Sequence, residues 1–342
     1  MEFLLEIAGF TIKAGILTVA IGAVVLIIAS ALRRQGDESP GHLSVIDLSD
    51  HYHNLADSLR RETMDPKQYK AFCKEAKQKD KEREKEDTAA KRVFVIEFHG
   101  DIAATAVADL REQVSAILTV AEKEDEVLVR LESNGGMVHQ YGLAAAQLVR
   151  LREKSIPLTV CIDKVAASGG YLMACVANKI TASPFAIVGS IGVIAMFPNF
   201  HRLLKKYDVD YLELTAGEFK RTLSPLGEIT EKGRDKFQSE LEETHELFKH
   251  FLAKYRPSLN LAEIATGETW YGSQALDKHM IDEIMTSDDY LMCLGEEATL
   301  FKVDFHAGKS VREKLASTLT KSADHLMMRW WERLEERVRA RS

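Results

Sequence analysis

Two short stretches of this chain carry the residue types that acyl-transfer chemistry needs. Val165-Ala166-Ala167-Ser168-Gly169-Gly170-Tyr171 sets a serine among small residues, after the run Ile156 to Ile162 and ahead of Gly170 to Ala177. The β-branched run reads as a buried strand and the small, apolar residues as a buried helix. Ser168 then stands at a strand-to-helix junction, where free backbone N–H groups gather and stabilise negative charge. The N–H of Gly169 can point at an oxyanion there, and the two glycines let a substrate approach the backbone closely. Glu132-Ser133-Asn134-Gly135-Gly136-Met137 places a second glycine pair at a second such junction. Two junctions of this kind can converge on one site. Taken alone, the serine string also fits a helix N-cap and the second glycine pair an ordinary turn, and Gly-x-Ser-x-Gly is absent from the serine's surroundings.

A serine hydroxyl is a poor nucleophile until a base takes its proton. The chain has 11 histidines, among them His139, His201, His245, His250 and His279, and none stands in a pattern that selects it. Lys220 differs, because it follows Gly217 in a short loop after an apolar run. Partial burial there would strip its solvation and lower its pKa, and a deprotonated lysine serves as general base near neutral pH. No metal or nucleotide motif is present, so no cofactor is expected. Cys73, Cys161, Cys175 and Cys293 have neither a Cys-x-x-Cys pair nor zinc-type spacing with histidine, and no disulfide is assigned.

Elements that could hold such a site follow from the periodicity. Arg92–Phe98 alternates as a strand, Thr105–Ala121 has helical period, Val127–Leu131 reads as a strand and Gly142–Arg152 as a helix; Leu158–Ile162 is the strand before Ser168. Strands and helices taking turns indicate an α/β layered fold. Phe185–Phe197 is uncharged but too short for a membrane span, and suits a buried strand pair or an interface. Phe200–Tyr207 is read as a helix, Val209–Leu214 as a strand, and Thr230–Tyr255 as a long amphipathic surface helix that starts at Thr230 and stops before Pro257. With 342 residues, 46% of them hydrophobic, the chain can fill a substantial core, and a net charge of −7 argues against general nucleic-acid binding.

The ends differ from the middle. Ala14 to Leu32 has no charged residue and as a helix spans about 28 Å, close to the hydrocarbon thickness of a bilayer. A single transmembrane anchor is therefore expected within residues 1–34. A cleavable signal peptide is the rival, but the leader carries Glu2 and Glu6 in place of a basic region. Residues 35–91 are dense in both signs of charge and read as a tether, 92–308 as the catalytic domain, and 309–342 as a C-terminal amphipathic helix whose Trp330-Trp331 pair beside arginines suits a membrane surface or a partner groove. Arg33 and Arg34, directly after the span, point to a cytoplasmic location for the residues C-terminal to it.

Five strings in this order resemble the membrane-bound serine peptidases of the signal peptide peptidase A family: Val129-Arg130-Leu131-Glu132-Ser133-Asn134-Gly135-Gly136, Ala167-Ser168-Gly169-Gly170-Tyr171, Gly189-Ser190-Ile191-Gly192-Val193, Gly217-Glu218-Phe219-Lys220-Arg221 and Trp270-Tyr271-Gly272-Ser273-Gln274-Ala275-Leu276. The resemblance implies a Ser–Lys dyad of Ser168 as nucleophile and Lys220 as base, and an oxyanion hole from the N–H of Gly169 and the Gly135-Gly136 turn. It also implies the spiral ββα fold shared with Clp peptidase and crotonase, and a homo-oligomer in which Lys220 of one subunit completes the site around Ser168 of the next. Peptide or protein segments near a bacterial inner membrane, such as signal peptide remnants or envelope proteins, would be the substrates. The family works from the outer face of that membrane, against the arginine signal, so the face stays open. Asn134 stands where the family has proline, and His279 where it has glycine, so a positive φ at His279 would be strained. A crotonase-type acyl-CoA enzyme and a non-catalytic membrane scaffold are the alternatives from other classes.

Overall fold

The computed structural model describes residues 41–83 and 91–306. The expected membrane span and the C-terminal tryptophan helix lie outside the described residues. In chain order the elements are β1 (His42–Asp47), α1 (Leu48–Thr63), α2 (Pro66–Arg83), β2 (Lys91–Gly100), α3 (Val107–Val120), β3 (Glu126–Ser133), α4 (Val138–Glu153), β4 (Leu158–Ile162), β5 (Val165–Ala167) and α5 (Gly169–Ala174). There follow β6 (Lys179–Ala182), β7 (Ile187–Gly189), α6 (His201–Lys206), α7 (Glu231–Tyr255), α8 (Leu261–Ile264), β8 (Thr269–Tyr271), α9 (Gly272–Asp277), β9 (Glu283–Ile284), α10 (Ser287–Leu294) and β10 (Ala298–His306).

The strands form one mixed sheet in the order β1-β10-β2-β3-β4-β6-β9, and it forks at β3. Residues Val127 to Arg130 of β3 pair in parallel with β4, whereas Ser133, at its end, pairs with Ala166 of β5. From β5 the branch continues to β7 in parallel and then to β8 antiparallel. The fork explains why the two glycine junctions meet. The chain leaves β3 into Gly135-Gly136 and leaves β5 into Ser168-Gly169, from strands that are direct neighbours.

Apolar residues alternate between two cores. Phe94, Ile96 and Phe98 of β2 point to one face with Leu110, Val114, Leu148 and Leu151 of the covering helices, while Val93 and Val95 point to the other with Leu291, Leu300 and the flanking Leu48 and Tyr52. A sheet covered on both sides reads as continuous apolar runs, and each fully buried large side chain contributes about 1.5–3 kcal/mol.

Three segments depart from the expected pattern. The polar stretch assigned to a tether contributes β1 next to β10, and α1, capped by the Asp47 carboxylate accepting from the N–H of Asp50 at 2.9 Å. Val209–Leu214 forms no strand. Among the described residues no strand pairs with it, and Leu212 and Leu214 are 79% and 85% exposed. Likewise only Ile187–Gly189 of the uncharged run 185–197 is strand, and Met196 is 83% exposed. His279 has φ 57°, the strain its side chain implies. Its carbonyl accepts from Nη2 of Arg256 at 3.1 Å, and Arg256 is also paired bidentately with Asp282 at 2.8 and 2.9 Å.

Candidate active site

Ser168 caps α5 with φ 52° and ψ −119°, a backbone conformation that costs a non-glycine residue free energy. The surroundings hold it there. Its N–H donates to the carbonyl of Gly189 at 2.7 Å, and its carbonyl accepts from Leu172 at 3.0 Å in the first turn of the helix. Strain at a serine in a tight strand-to-helix turn exposes the hydroxyl above the helix terminus, as in nucleophile elbows of other folds.

Both neighbours of this turn must be glycine. A Cβ on Gly169 would overlap the Tyr141 ring, and one on Gly135, whose φ is +83°, would come 2.6 Å from the Gly169 nitrogen and 2.8 Å from Ser168 Cβ. The two loops are thus in backbone contact. Among the described residues the N–H groups of Gly136 and Gly169 donate to no protein acceptor, so both are available to a substrate oxygen. Gly135 differs from the expectation that placed it with them: its N–H donates to Ser133 Oγ at 3.0 Å. Its part is to let the turn pass against Ser168.

A cavity of about 260 Å³ opens beside Ser168. Gly136 and Gly169 border it, and its apolar wall is Val138, Leu172, Leu247, Phe248 and Phe251. The α7 contribution was legible only as a stripe, since Thr244, Leu247, Phe248 and Phe251 recur at helical spacing; the helix read as a surface element presents that stripe to the site. Tyr141 is the one titratable residue among those lining the cavity, and burial pushes its phenol above the ordinary value. Among the described residues no histidine or carboxylate lines it. No cysteine among the described residues lines the cavity; Cys161 and Cys175 are buried, and burial pushes the Cys161 thiol up to about 12.

Lys220 does not line this cavity and is exposed. The partial burial expected for it is therefore not found in the single chain, because the loop that carries it, with Gly217 at φ 98°, lies on the surface.

A forked α/β sheet that sets a strained serine beside two free N–H groups and an apolar cavity is an arrangement that suits serine-hydrolase chemistry. The family models for "Peptidase family S49 N-terminal" and "Peptidase family S49" match residues 2–148 and 150–300. The chain belongs to peptidase family S49 and is a serine peptidase. It is 47% identical to the "Probable protease SohB" of Haemophilus influenzae, over 92% of each chain, and 29% identical to the "Putative signal peptide peptidase SppA" of Enterococcus faecium, over 63% of this chain and 66% of that one. Among solved structures, a mutant of ClpP1 from Listeria monocytogenes aligns over 59% of this chain and 94% of that chain, with 14% identity and a TM-score of 0.38.

Proposed function

We propose that the chain is a membrane-anchored serine endopeptidase that uses Ser168 as nucleophile and Lys220 of a neighbouring subunit as general base. The observation that carries this reading is a mismatch: the cavity beside Ser168 has oxyanion donors and an apolar wall but, among the described residues, no base of its own chain, and Lys220 stands exposed on an apolar surface segment. In the assembly Lys220 enters the apolar cavity, where its amine accepts the serine proton. Ser168 Oγ then attacks the peptide carbonyl as its proton passes to Lys220 Nζ, and the tetrahedral oxyanion is held by Gly136 and Gly169. Collapse expels the amine, which takes that proton, and water cleaves the acyl-enzyme by the same route. The wall of Leu172, Leu247, Phe248 and Phe251 favours an apolar side chain next to the scissile bond.

Ala14–Leu32 is the proposed anchor in a bacterial inner membrane, with 35–91 leading to the catalytic domain 92–308 and the helix 309–342 after it. Among the described residues no helix is long and apolar enough to cross a membrane, and the anchor rests on its sequence alone. We assign the forked sheet to the spiral ββα fold. Signal peptide remnants and envelope proteins suit a site tethered at a bilayer.

Cleavage of a mixed peptide library by the detergent-extracted assembly tests the reading. Wild type is expected to cut beside apolar residues, and Ser168→Ala and Lys220→Ala to be inert. Equal cleavage by wild type and Ser168→Ala would refute the assignment of the nucleophile.

A further inference from the structure

One buried chain of hydrogen bonds ends at the Gly135-Gly136 turn. Tyr141 Oη lies 2.7 Å from the carbonyl oxygen of Asp101 and 2.6 Å from Ser133 Oγ. A phenol has one proton, and the carbonyl can only accept, so Tyr141 donates to Asp101 and must accept from Ser133. Ser133 Oγ, having donated, accepts the N–H of Gly135 at 3.0 Å. The direction is therefore fixed from end to end: Gly135 N–H to Ser133 Oγ, Ser133 O–H to Tyr141 Oη, Tyr141 O–H to Asp101 C=O. Each hydroxyl gives once and receives once, and links of a buried chain strengthen one another.

Both ends of this relay bear on the same place. The Tyr141 side chain is fully buried, with its ring packed against the backbone of Gly169, where no Cβ fits. Its hydroxyl, through Ser133, holds the Asn134–Gly135 peptide, the unit that precedes the one carrying the Gly136 N–H. A second anchor lies beside it: Met137 N–H donates to the carbonyl of Ile102 at 2.9 Å, one residue beyond Asp101. The stretch Asp101–Ile102 thus holds the turn by two routes, and only the relay passes through side chains. Gly100 leaves room for it, since a Cβ there would come within 2.5 Å of Ser133 Oγ.

We propose that Tyr141 and Ser133 are positioning residues for the oxyanion hole, Tyr141 fixing the Gly169 side by its ring and, with Ser133, the Gly136 side by the hydroxyl relay. Neither hydroxyl touches substrate. Their effect falls on the transition state, because a donor displaced from the oxyanion's position still permits substrate to dock in the apolar cavity. The inference rests on the reading of Ser168 as nucleophile and of Gly136 and Gly169 as donors.

The test uses the detergent-extracted full chain and a peptide that wild type cleaves. Ser168→Ala is run first, and cleavage by that variant would overturn the nucleophile reading itself, separately from the relay. Tyr141→Phe keeps the ring and removes the link; Ser133→Ala removes the neighbouring link. Each is expected to lower kcat by roughly tenfold to a hundredfold with KM little changed, in line with the loss or displacement of one oxyanion donor. Affinity for a peptide boronate, whose tetrahedral adduct needs the same donors, should fall in parallel. The double variant should lose no more than the worse single one, because either change breaks one continuous chain. Unchanged kcat in a folded variant, a loss carried by KM, or multiplying losses in the double variant would overturn the proposal, as would failure of both single variants to fold, which would make the pair structural.

Discussion

The stretch that presents Ser168 and the stretch that carries Lys220 are built on opposite plans. From β2 through β7 most apolar side chains are buried against a covered sheet, Ile102 and Phe185 being the most exposed exceptions, and even the strained backbone of Ser168 is held by bonds inside the chain. From about residue 193 to residue 229 the chain has one short helix, and Ile194, Met196, Leu203, Leu212, Leu214 and Phe219 are exposed. A soluble chain rarely leaves so much apolar surface in one segment unless something covers it. On the proposed function, the difference is that between a nucleophile's half of the site finished within one chain and a base's half that a neighbour would finish.

The sharpest way to break that comparison is complementation. Ser168→Ala and Lys220→Ala should each reduce turnover by at least about a thousandfold, as loss of a nucleophile or its base does elsewhere. Co-expressed so that mixed assemblies form, the two inactive chains should regain part of the wild-type activity, since an intact Ser168 then meets an intact Lys220 across an interface. Peptide cleavage by the co-purified mixture decides it. No recovery, with mixed assemblies demonstrated, would place Lys220 in its own chain's site or outside catalysis.

How far the sequence foretold each region follows the same division. The strands around Ser168 were legible because both faces are buried, and the residues written into them are correspondingly β-branched and apolar: Leu158–Ile162 is the strand its composition predicts. The convergence of the two glycine junctions was legible as a possibility but not its cause, since the fork depends on Ser133 pairing with Ala166, a contact with no local signature. Val209–Leu214 misled for a physical reason. Alternating apolar residues favour a strand only where a partner edge exists, and the described residues supply none. Gly135 misled because composition cannot tell a glycine that offers its N–H from one that spends it on Ser133. Tyr141 and Ser133 were within reach, since a tyrosine at the start of the buried stripe Tyr141, Ala144, Ala145, Leu148 must find its hydroxyl a partner.

Within the finished half, Arg256 should matter most to stability. Arg256→Leu removes the bidentate partner of Asp282 and the donor to the strained His279 carbonyl at the end of α7. A loss of roughly 2–3 kcal/mol is expected, as for buried hydrogen bonds to charged groups, read as a lowered midpoint in denaturant. Because α7 bears the Leu247, Phe248 and Phe251 wall, KM for apolar substrates should rise in the same variant.

A smaller effect is read by pH at the start of the central strands β2 and β3. Burial pushes Asp125 up, but its bonds to Arg92 at 2.6 and 3.1 Å, and to the backbone N–H groups of Glu122 and Arg92, outweigh it and hold the carboxyl below its ordinary value. A depressed folded-state pKa adds stability that is present above the unfolded value of about 3.9 and is lost as pH falls through the folded one. Arg92→Met should therefore cost about 1–2 kcal/mol at neutral pH, and the gap from wild type should close below about pH 4. A gap that persists undiminished in acid would assign the loss to packing.

The smallest expected change in stability tests the other half. Leu214→Asp puts a charge on a side chain that is already 85% exposed, so unfolding of the dissociated chain should shift by no more than about 0.5 kcal/mol. The same charge buried in an interface would meet apolar surface without a partner, and sedimentation in detergent should show smaller assemblies with activity lost in proportion. A variant that assembles and cleaves like wild type would mean that Leu214 lies outside the subunit contact, and the covered surface would then have to be sought around Met196 and Phe219. A variant that unfolds would contradict the division itself, because it would show this segment to be held by its own chain.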